Sequence, residues 1–255
     1  MRRRGWRGLT LVSLLALVML APFLYMVFTS LMDEPGAYTA AWSALPFPRL
    51  FLNSVLFAGS AAAGQVLTSA AAAYAFARLR FPGRDRVFLA FLSLLLMPAV
   101  VLLVPRFLMI DGLGWVDSYT GLISTELVSV WGIFFLRQAF LTLPRDLEDA
   151  ARLDWAGEWT IFSRVMLPLA KPALATLGLL AFVDQWKSFL WPLIATRSLE
   201  MQVVELGLER FHGLYASNRP YQMAAAVIAT LPLFVAFLVA QRYVNRGVPL
   251  AASRS

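Results

Sequence analysis

The chain has 255 residues, 60% hydrophobic and 15% charged, with a net charge of +7 and a mean hydropathy of +0.69. That is too apolar for a soluble domain, where about a quarter of residues carry charge. With no cysteine and a single histidine, His212, the composition excludes disulfides, thiolate metal sites and cysteine nucleophiles, and it disfavours a histidine metal centre. The basic excess does not point to nucleic acid, because Lys and Arg cluster in alternate loops, as membrane orientation requires.

The first apolar run, 8–32, carries no charge and follows Arg2, Arg3, Arg4 and Arg7. A cleaved signal peptide would have a shorter apolar core and a small-residue cleavage site, and Ala21-Pro22-Phe23 is a poor one, so an uncleaved membrane helix is expected. Residues 33–49, with Pro35, Gly36, Pro46 and Pro48, read as a loop. The second charge-free run, 50–77, is rich in Gly, Ala and Ser, which lets helix backbones approach closely inside a bundle. A short basic loop, 78–86, leads to a third span at 87–105. A loop carrying Asp111, Gly112, Gly114 and Asp117 follows, then a fourth span at 119–136, interrupted by Glu126.

Residues 141–171 break the apolar pattern with a charged, helix-prone insert. A fifth span is expected at 172–195, a polar loop at 197–219, a sixth span at 220–241, and then a basic tail. Lipid offers no partners for backbone groups, so each run should be helical, giving an all-α membrane protein of six transmembrane helices. The expected organisation is a basic N-terminus at 1–8, a transmembrane domain at 9–244 containing the insert, and a tail at 245–255. Six crossings place both termini on one side. That side collects 16 Lys and Arg, the other side 5, and Lys187 lies within a span, so the termini and the insert are expected in the cytoplasm. No repeat is visible.

Within the insert, Pro144 suits a first helical turn and Asp146, Glu148 and Asp149 suit the positive end of a helix dipole. Leu143, Leu147, Ala150 and Ala151 form a narrow apolar face. After Gly157, a plausible break, Trp159, Phe162, Val165 and Met166 form a second face, bounded by Pro168 and Pro172. An interfacial loop packing under the bundle explains Trp159 and Phe162. The paired alanines suit the close approach of another protein. These residues alone leave both readings open.

Asp149-Ala150-Ala151, followed at the right spacing by Val165-Met166-Leu167-Pro168, resembles the EAA loop of ABC importer permeases. Asn53-Ser54, Ala73-Tyr74-Ala75-Phe76-Ala77-Arg78, Phe81-Pro82-Gly83-Arg84, Met97-Pro98, Gly132-Ile133-Phe134-Phe135-Leu136-Arg137-Gln138, Phe189-Leu190-Trp191-Pro192 and Gln241-Arg242-Tyr243 resemble the carbohydrate-uptake branch of that family. The likeness covers nearly the whole chain and is nearest to the six-helix second permease subunit of maltose- or glycerol-phosphate-type importers.

The resemblance implies a type I importer permease that binds no cofactor. Its implied partners are a second permease chain, two ATPase subunits carrying ATP and Mg, an extracytoplasmic solute-binding protein and membrane lipid, in a bacterial or archaeal cytoplasmic membrane. It implies ATPase coupling through Glu148, Asp149, Ala150, Ala151, Asp154, Trp155 and Gly157. Two positions depart from the family pattern: Asp149 stands for Glu, and Trp155 stands for Gly. The expectation is that Gly157 makes the turn instead and that Trp155 packs on the ATPase.

Glu126, Asp184, Gln185 and Lys187 are the candidates for a substrate path, with Gln65, Trp186, Trp191 and Tyr74 as further sugar-facing groups. A charge at mid-membrane costs roughly 2.5–3.5 kcal/mol, so Asp184 and Lys187, three apart on one helix, are expected to pair or to face a cavity, with the internal salt bridge favoured. Most tryptophans suit interface anchoring or packing, and His212 falls in an external loop. No phosphate-binding Gly-x-x-x-x-Gly-Lys-Ser/Thr, His-Glu-x-x-His or Gly-x-Ser-x-Gly occurs. Energy must therefore come from a partner or, in the rival reading, from an ion gradient acting on Asp184, Lys187 or Glu126. A membrane enzyme using Asp184 or Glu126 would lack any recognisable catalytic constellation.

Overall fold

The computed structural model describes residues 3–32, 36–215 and 218–244. The tail at 245–255 and the first two residues, part of the basic N-terminus, lie outside them. The described residues are mostly helical, without strands. In order they form α1 (Arg3–Met32), α2 (Ala37–Ala44), α3 (Phe47–Arg78), α4 (Arg84–Ser93), α5 (Leu103–Gly112), α6 (Tyr119–Ser124), α7 (Val130–Thr142), α8 (Asp146–Leu153) and α9 (Glu158–Thr160). A π-helical turn at Ile161–Met166 joins α9 to α10 (Leu167–Leu169). Then come α11 (Lys171–Trp186), α12 (Leu190–Ala195), α13 (Val204–Leu214) and α14 (Arg219–Val244).

Among the described residues, α1, α3 and α14 are long and apolar enough to cross a bilayer unbroken. The other three expected spans are not single rods. The third is split at Met97-Pro98, where the helical segments on either side meet at 98°; Pro98 has no N–H to continue the ladder. The fourth is two helices, α6 and α7, separated by Thr125 to Ser129. The fifth ends at Trp186 and resumes as α12, because Pro192 can neither donate to the Ser188 carbonyl nor avoid its oxygen. The loops expected at 33–49 and 197–219 contain the short helices α2 and α13.

The centre of the fold is α3, which packs chiefly against α7 and α11. Its small buried face, Ala58, Ala61, Ala62, Ser69, Ala70, Ala73 and Ala77, allows this approach. A Cβ on Gly132 of α7 would stand 2.6 Å from the Ser69 Oγ, so any larger residue there would force Ser69 to turn aside. Near the N-terminal end of α3, Asn53 Nδ2 donates to the Glu200 and Gln202 carbonyls at 2.7 Å each, and its Oδ1 accepts from the Tyr119 hydroxyl at 2.6 Å. The adjacent Ser54 Oγ accepts from Val204 N. The Asn53-Ser54 pair thus ties the 198–204 segment down onto α3. By contrast, α1 rests mainly on α14 and leaves Leu11 to Leu31 largely exposed, a surface for lipid.

At the other end of α3, Arg78 and Glu148 are both buried, with Nε and Oε1 3.0 Å apart. The N–H is not aligned on that oxygen, so the contact is mainly one of charge. The guanidinium also donates through Nη2 to the carbonyls of Phe140 and Leu143. Removing one member of a buried pair strands the other charge. Arg78→Ala should therefore lower the unfolding free energy by roughly 3–5 kcal/mol, while the Arg78→Met/Glu148→Leu double variant recovers most of it. Thermal unfolding in detergent checks this; a double variant as unstable as the single one would contradict it.

Candidate functional site

The insert is a helix, a turn and a second helical segment folded back under α3. α8 ends in a Schellman motif. Ala156 N donates to Ala151 O and Trp155 N to Arg152 O, both at 3.0 Å, with the residue between Asp154 and Ala156 left-handed. That residue is Trp155 itself, at φ +58°, whereas Gly157 is extended at φ −69°, ψ 157°. The expectation that Gly157 would take over the turn is therefore wrong. The register of hydrogen bonds pins the left-handed residue to the third position after Arg152, whatever side chain stands there. A Trp in this conformation costs about 1–2 kcal/mol. Nothing among the described residues offsets it, because Trp155 is 95% exposed.

The rest of the insert divides into a buried and an open side. Phe162 and Met166 join Tyr74, Phe140 and Leu177 in one core, with Ala151 and Ala156 packed on its edge. The open side presents Leu147, Ala150, Leu153, Trp155 and Trp159. Glu148, expected at the coupling surface, faces inward to Arg78, because its place on α8 is opposite Ala150. Asp149 and Asp154 are exposed.

A second set of charges fastens the insert to α3. Glu158 accepts from the Tyr74 hydroxyl at 2.8 Å and from Arg152 Nη2 at 3.0 Å, and Arg152 also reaches Glu148 and Asp149. Partial burial alone would raise the Glu158 carboxyl, but the hydrogen bonds from Tyr74 and Arg152 outweigh it and hold it below its ordinary 4.5. The hydrogen bond to Glu158 holds the Arg152 guanidinium even more firmly protonated. The pattern missed this set: Tyr74 was read as a sugar face, and Arg78 and Arg152 only as loop charges.

Inside the membrane, Glu126 lies at the break between α6 and α7. Its carboxylate pairs with Arg106 through Oε1 and accepts from Gln185 Nε2 at 3.1 Å through Oε2. Gln65 Nε2 donates to the Glu126 carbonyl and Thr68 Oγ1 to the Leu127 carbonyl, both at 2.9 Å. These bonds supply the partners that the interrupted helix lacks. Arg106 also lies 4.1 Å over the Trp191 ring. Glu126 and Gln185 thus belong to a fastened network.

Asp184 and Lys187 do not form the favoured salt bridge; among the described residues they share no ion pair. Both are exposed and line a cavity of about 460 Å³ with Gln65 and Trp131. Lys187 caps the C-terminal end of α11, one residue past its last helical turn. Trp186 and Trp191 are buried, donating to the Ala229 and Leu122 carbonyls, and are packing residues. His212 is exposed.

Residues 65–249, the insert and the broken spans included, match the family described as binding-protein-dependent transport system inner membrane component. The chain belongs to that family. It is 37% identical over 198 residues to the arabinooligosaccharides transport system permease protein AraQ of Bacillus subtilis (strain 168), covering 78% of this chain and 70% of that protein. It is 34% identical over 202 residues to the sn-glycerol-3-phosphate transport system permease protein UgpE of Brucella abortus (strain 2308), covering 78% and 72%. A bacterial ABC transporter involved in the import of alginate contains a chain of the same fold, at a TM-score of 0.79 and 24% identity over 95% of this chain and 96% of that one. A second structure, of a bacterial alginate transporter with a pentasaccharide-bound periplasmic protein, gives 0.71 at 18% identity over 97% and 96%. As an inner membrane component of a binding-protein-dependent system, this permease is a transport subunit.

Two outcomes follow for the insert. Trp155→Gly should stabilise the isolated permease by about 1 kcal/mol, read as a higher melting temperature, because glycine takes the left-handed position freely. An unchanged or lower melting temperature would contradict the strain. Glu158, with its folded value depressed, stabilises fully above pH 4.5 and less as pH falls through that depressed value. Tyr74→Phe removes one donor, so acid-induced unfolding should begin at higher pH than in the wild type.

Proposed function

We propose that this permease imports a sugar or oligosaccharide, driven by ATP hydrolysis on separate subunits that dock on the insert. The observation that carries the docking is the open side of the insert. Trp155 is strained and 95% exposed, and Trp159 and Leu153 are 75% and 82% exposed, on a segment whose charges mark it as cytoplasmic. Strain held at an exposed turn is retained where it serves a function, and a partner surface closing over the indole supplies one. On this reading Asp149, Ala150, Ala151, Asp154, Trp155 and Gly157 form the coupling surface. Glu148 acts from beneath, holding α8 to α3.

The carbohydrate class rests on the relatives named for arabino-oligosaccharides and glycerol phosphate and on the alginate transporters of the same fold. A second permease chain, two ATPase subunits with ATP and Mg, and an external binding protein complete the importer. The 16 to 5 distribution of basic residues favours cytoplasmic termini. The ion-coupled alternative is weakened by Glu126, whose carboxylate is already neutralised by Arg106.

The insert is flanked directly by α7 and α11, about 20 and 24 Å long at 1.5 Å per residue. Closure of an ATPase dimer would shift α8. Through the Arg78 and Arg152 contacts that shift would move α3, α7 and α11 together and re-aim the cavity at their far ends.

Ala150→Glu tests the docking, since it puts a charge into a close apolar contact. Ala150 is exposed in the single chain, so membrane insertion and folding should be unchanged. Co-purification of the ATPase should fall about tenfold or more, and uptake with it. Normal co-purification and uptake would overturn the assignment of this surface.

A further inference from the structure

The break that starts α7 and the break that ends α11 open onto one cavity. Its volume, about 460 Å³, lies in the range of small-molecule sites, and its wall includes Gln65, Ser129, Trp131, Asp184 and Lys187. Ser129 caps α7, its Oγ accepting from Gly132 N. Discontinuous membrane helices expose polar backbone and side-chain groups only where they line a cavity or meet protein.

Three features narrow what can fill it. First, neither the Asp184 carboxylate nor the Lys187 ammonium makes a hydrogen bond or ion pair among the described residues; Lys187 acts only at a distance, on Glu205. Two unpaired charges about 20 and 24 Å along α11 from its insert end are costly against acyl chains. Second, Trp131 is 43% exposed and backed on one side by Phe135, ring centroids 5.3 Å apart and planes 8° from parallel. Phe135 fixes the orientation of the indole, and no other ring among the described residues covers it. Third, the remaining wall is apolar, from Leu177, Leu180 and Ala181. A flat aromatic plate beside a carboxylate, an ammonium and an amide matches a sugar ring, whose C–H face is apolar and whose rim is hydroxyls. It suits neither a purely apolar helix nor a bare ion.

We propose that this chain carries its own saccharide subsite in this cavity. Trp131 is the stacking plate, Asp184 accepts from sugar hydroxyls, and Lys187 and Gln65 donate to sugar oxygens. The subsite rests on the reading of the chain as a carbohydrate permease. Its walls are the far ends of the two helices that flank the insert, so the motion delivered by ATP would be felt where the sugar lies. Trp131 carried no signal in the sequence, since an aromatic at the start of an apolar helix is ordinary.

The test uses the complete importer in proteoliposomes and a panel of neutral and acidic di- to pentasaccharides. Trp131→Ala should lower uptake of the transported member about tenfold, chiefly by raising KM, and leave binding-protein-stimulated ATP hydrolysis within about twofold of wild type; Trp131→Phe should retain most uptake. The chain has no native cysteine, so Asp184→Cys gives a single thiol. That thiol should react with a charged, membrane-impermeant methanethiosulfonate, and the transported sugar should slow the reaction. Wild-type uptake with an unaltered Trp131→Ala variant, or a thiol that stays unreactive throughout the cycle, would overturn the subsite and leave the carbohydrate reading standing. A wild-type importer that moves no member of the panel would overturn both.

Discussion

The structure turns on the burial of one ion pair. Arg78 closes α3 and Glu148 lies on the inner face of α8, and both are taken out of water where the membrane bundle meets the insert. A buried charge tolerates no slack: its partner must stay close or the desolvation cost returns. Because the same guanidinium holds the last carbonyls of α7, one side chain locks three elements together. The Tyr74, Glu158 and Arg152 contacts repeat the arrangement on the other flank of the insert. An exposed loop of apolar residues would flex under load. On the proposed reading, a loop tied by charge to the central helix would transmit the load.

The second constraint is the small-residue face of α3. It draws α7 and α11 close enough for Gln65 and Thr68 to reach the interrupted backbone at Glu126 and Leu127. The break in the fourth span is thereby stabilised by α3, and it can persist at membrane depth without exposing bare carbonyls to lipid. Arg106 and Gln185 complete the satisfaction of Glu126. One helix thus supports the insert at its C-terminal end, the cavity near its middle and, through Asn53, the 198–204 segment at its N-terminal end.

Much of this was legible in the residues, and the rest was hidden for physical reasons. The positions of α1, α3 and α14 follow from uninterrupted apolar runs, and the insert from its charge. Hydropathy averages over a window, so it cannot see that Pro98, Ser129 or Pro192 breaks a span that remains apolar on both sides. The turn at Trp155 was misplaced because residue preference pointed to Gly157. The hydrogen bonds from Ala156 and Trp155 back to Ala151 and Arg152 fix the left-handed position instead. For Asp184 and Lys187 the spacing left a salt bridge and a shared cavity open and favoured the bridge; they line the cavity instead, because spacing gives proximity along a helix but not contact. Glu148 shows the converse: its position in the motif suggested a contact surface, while the helix face it occupies turns it inward.

The proposed role of the insert as the joint to the ATPase is most directly examined by hydrogen–deuterium exchange of the assembled importer, with and without its ATPase subunits. Slower exchange should appear across α8 and the Trp155 turn when the ATPase is bound, with α1 unaffected. Identical exchange over residues 146–157 in both preparations, in an importer that still hydrolyses ATP and moves solute, would mean that the force enters elsewhere.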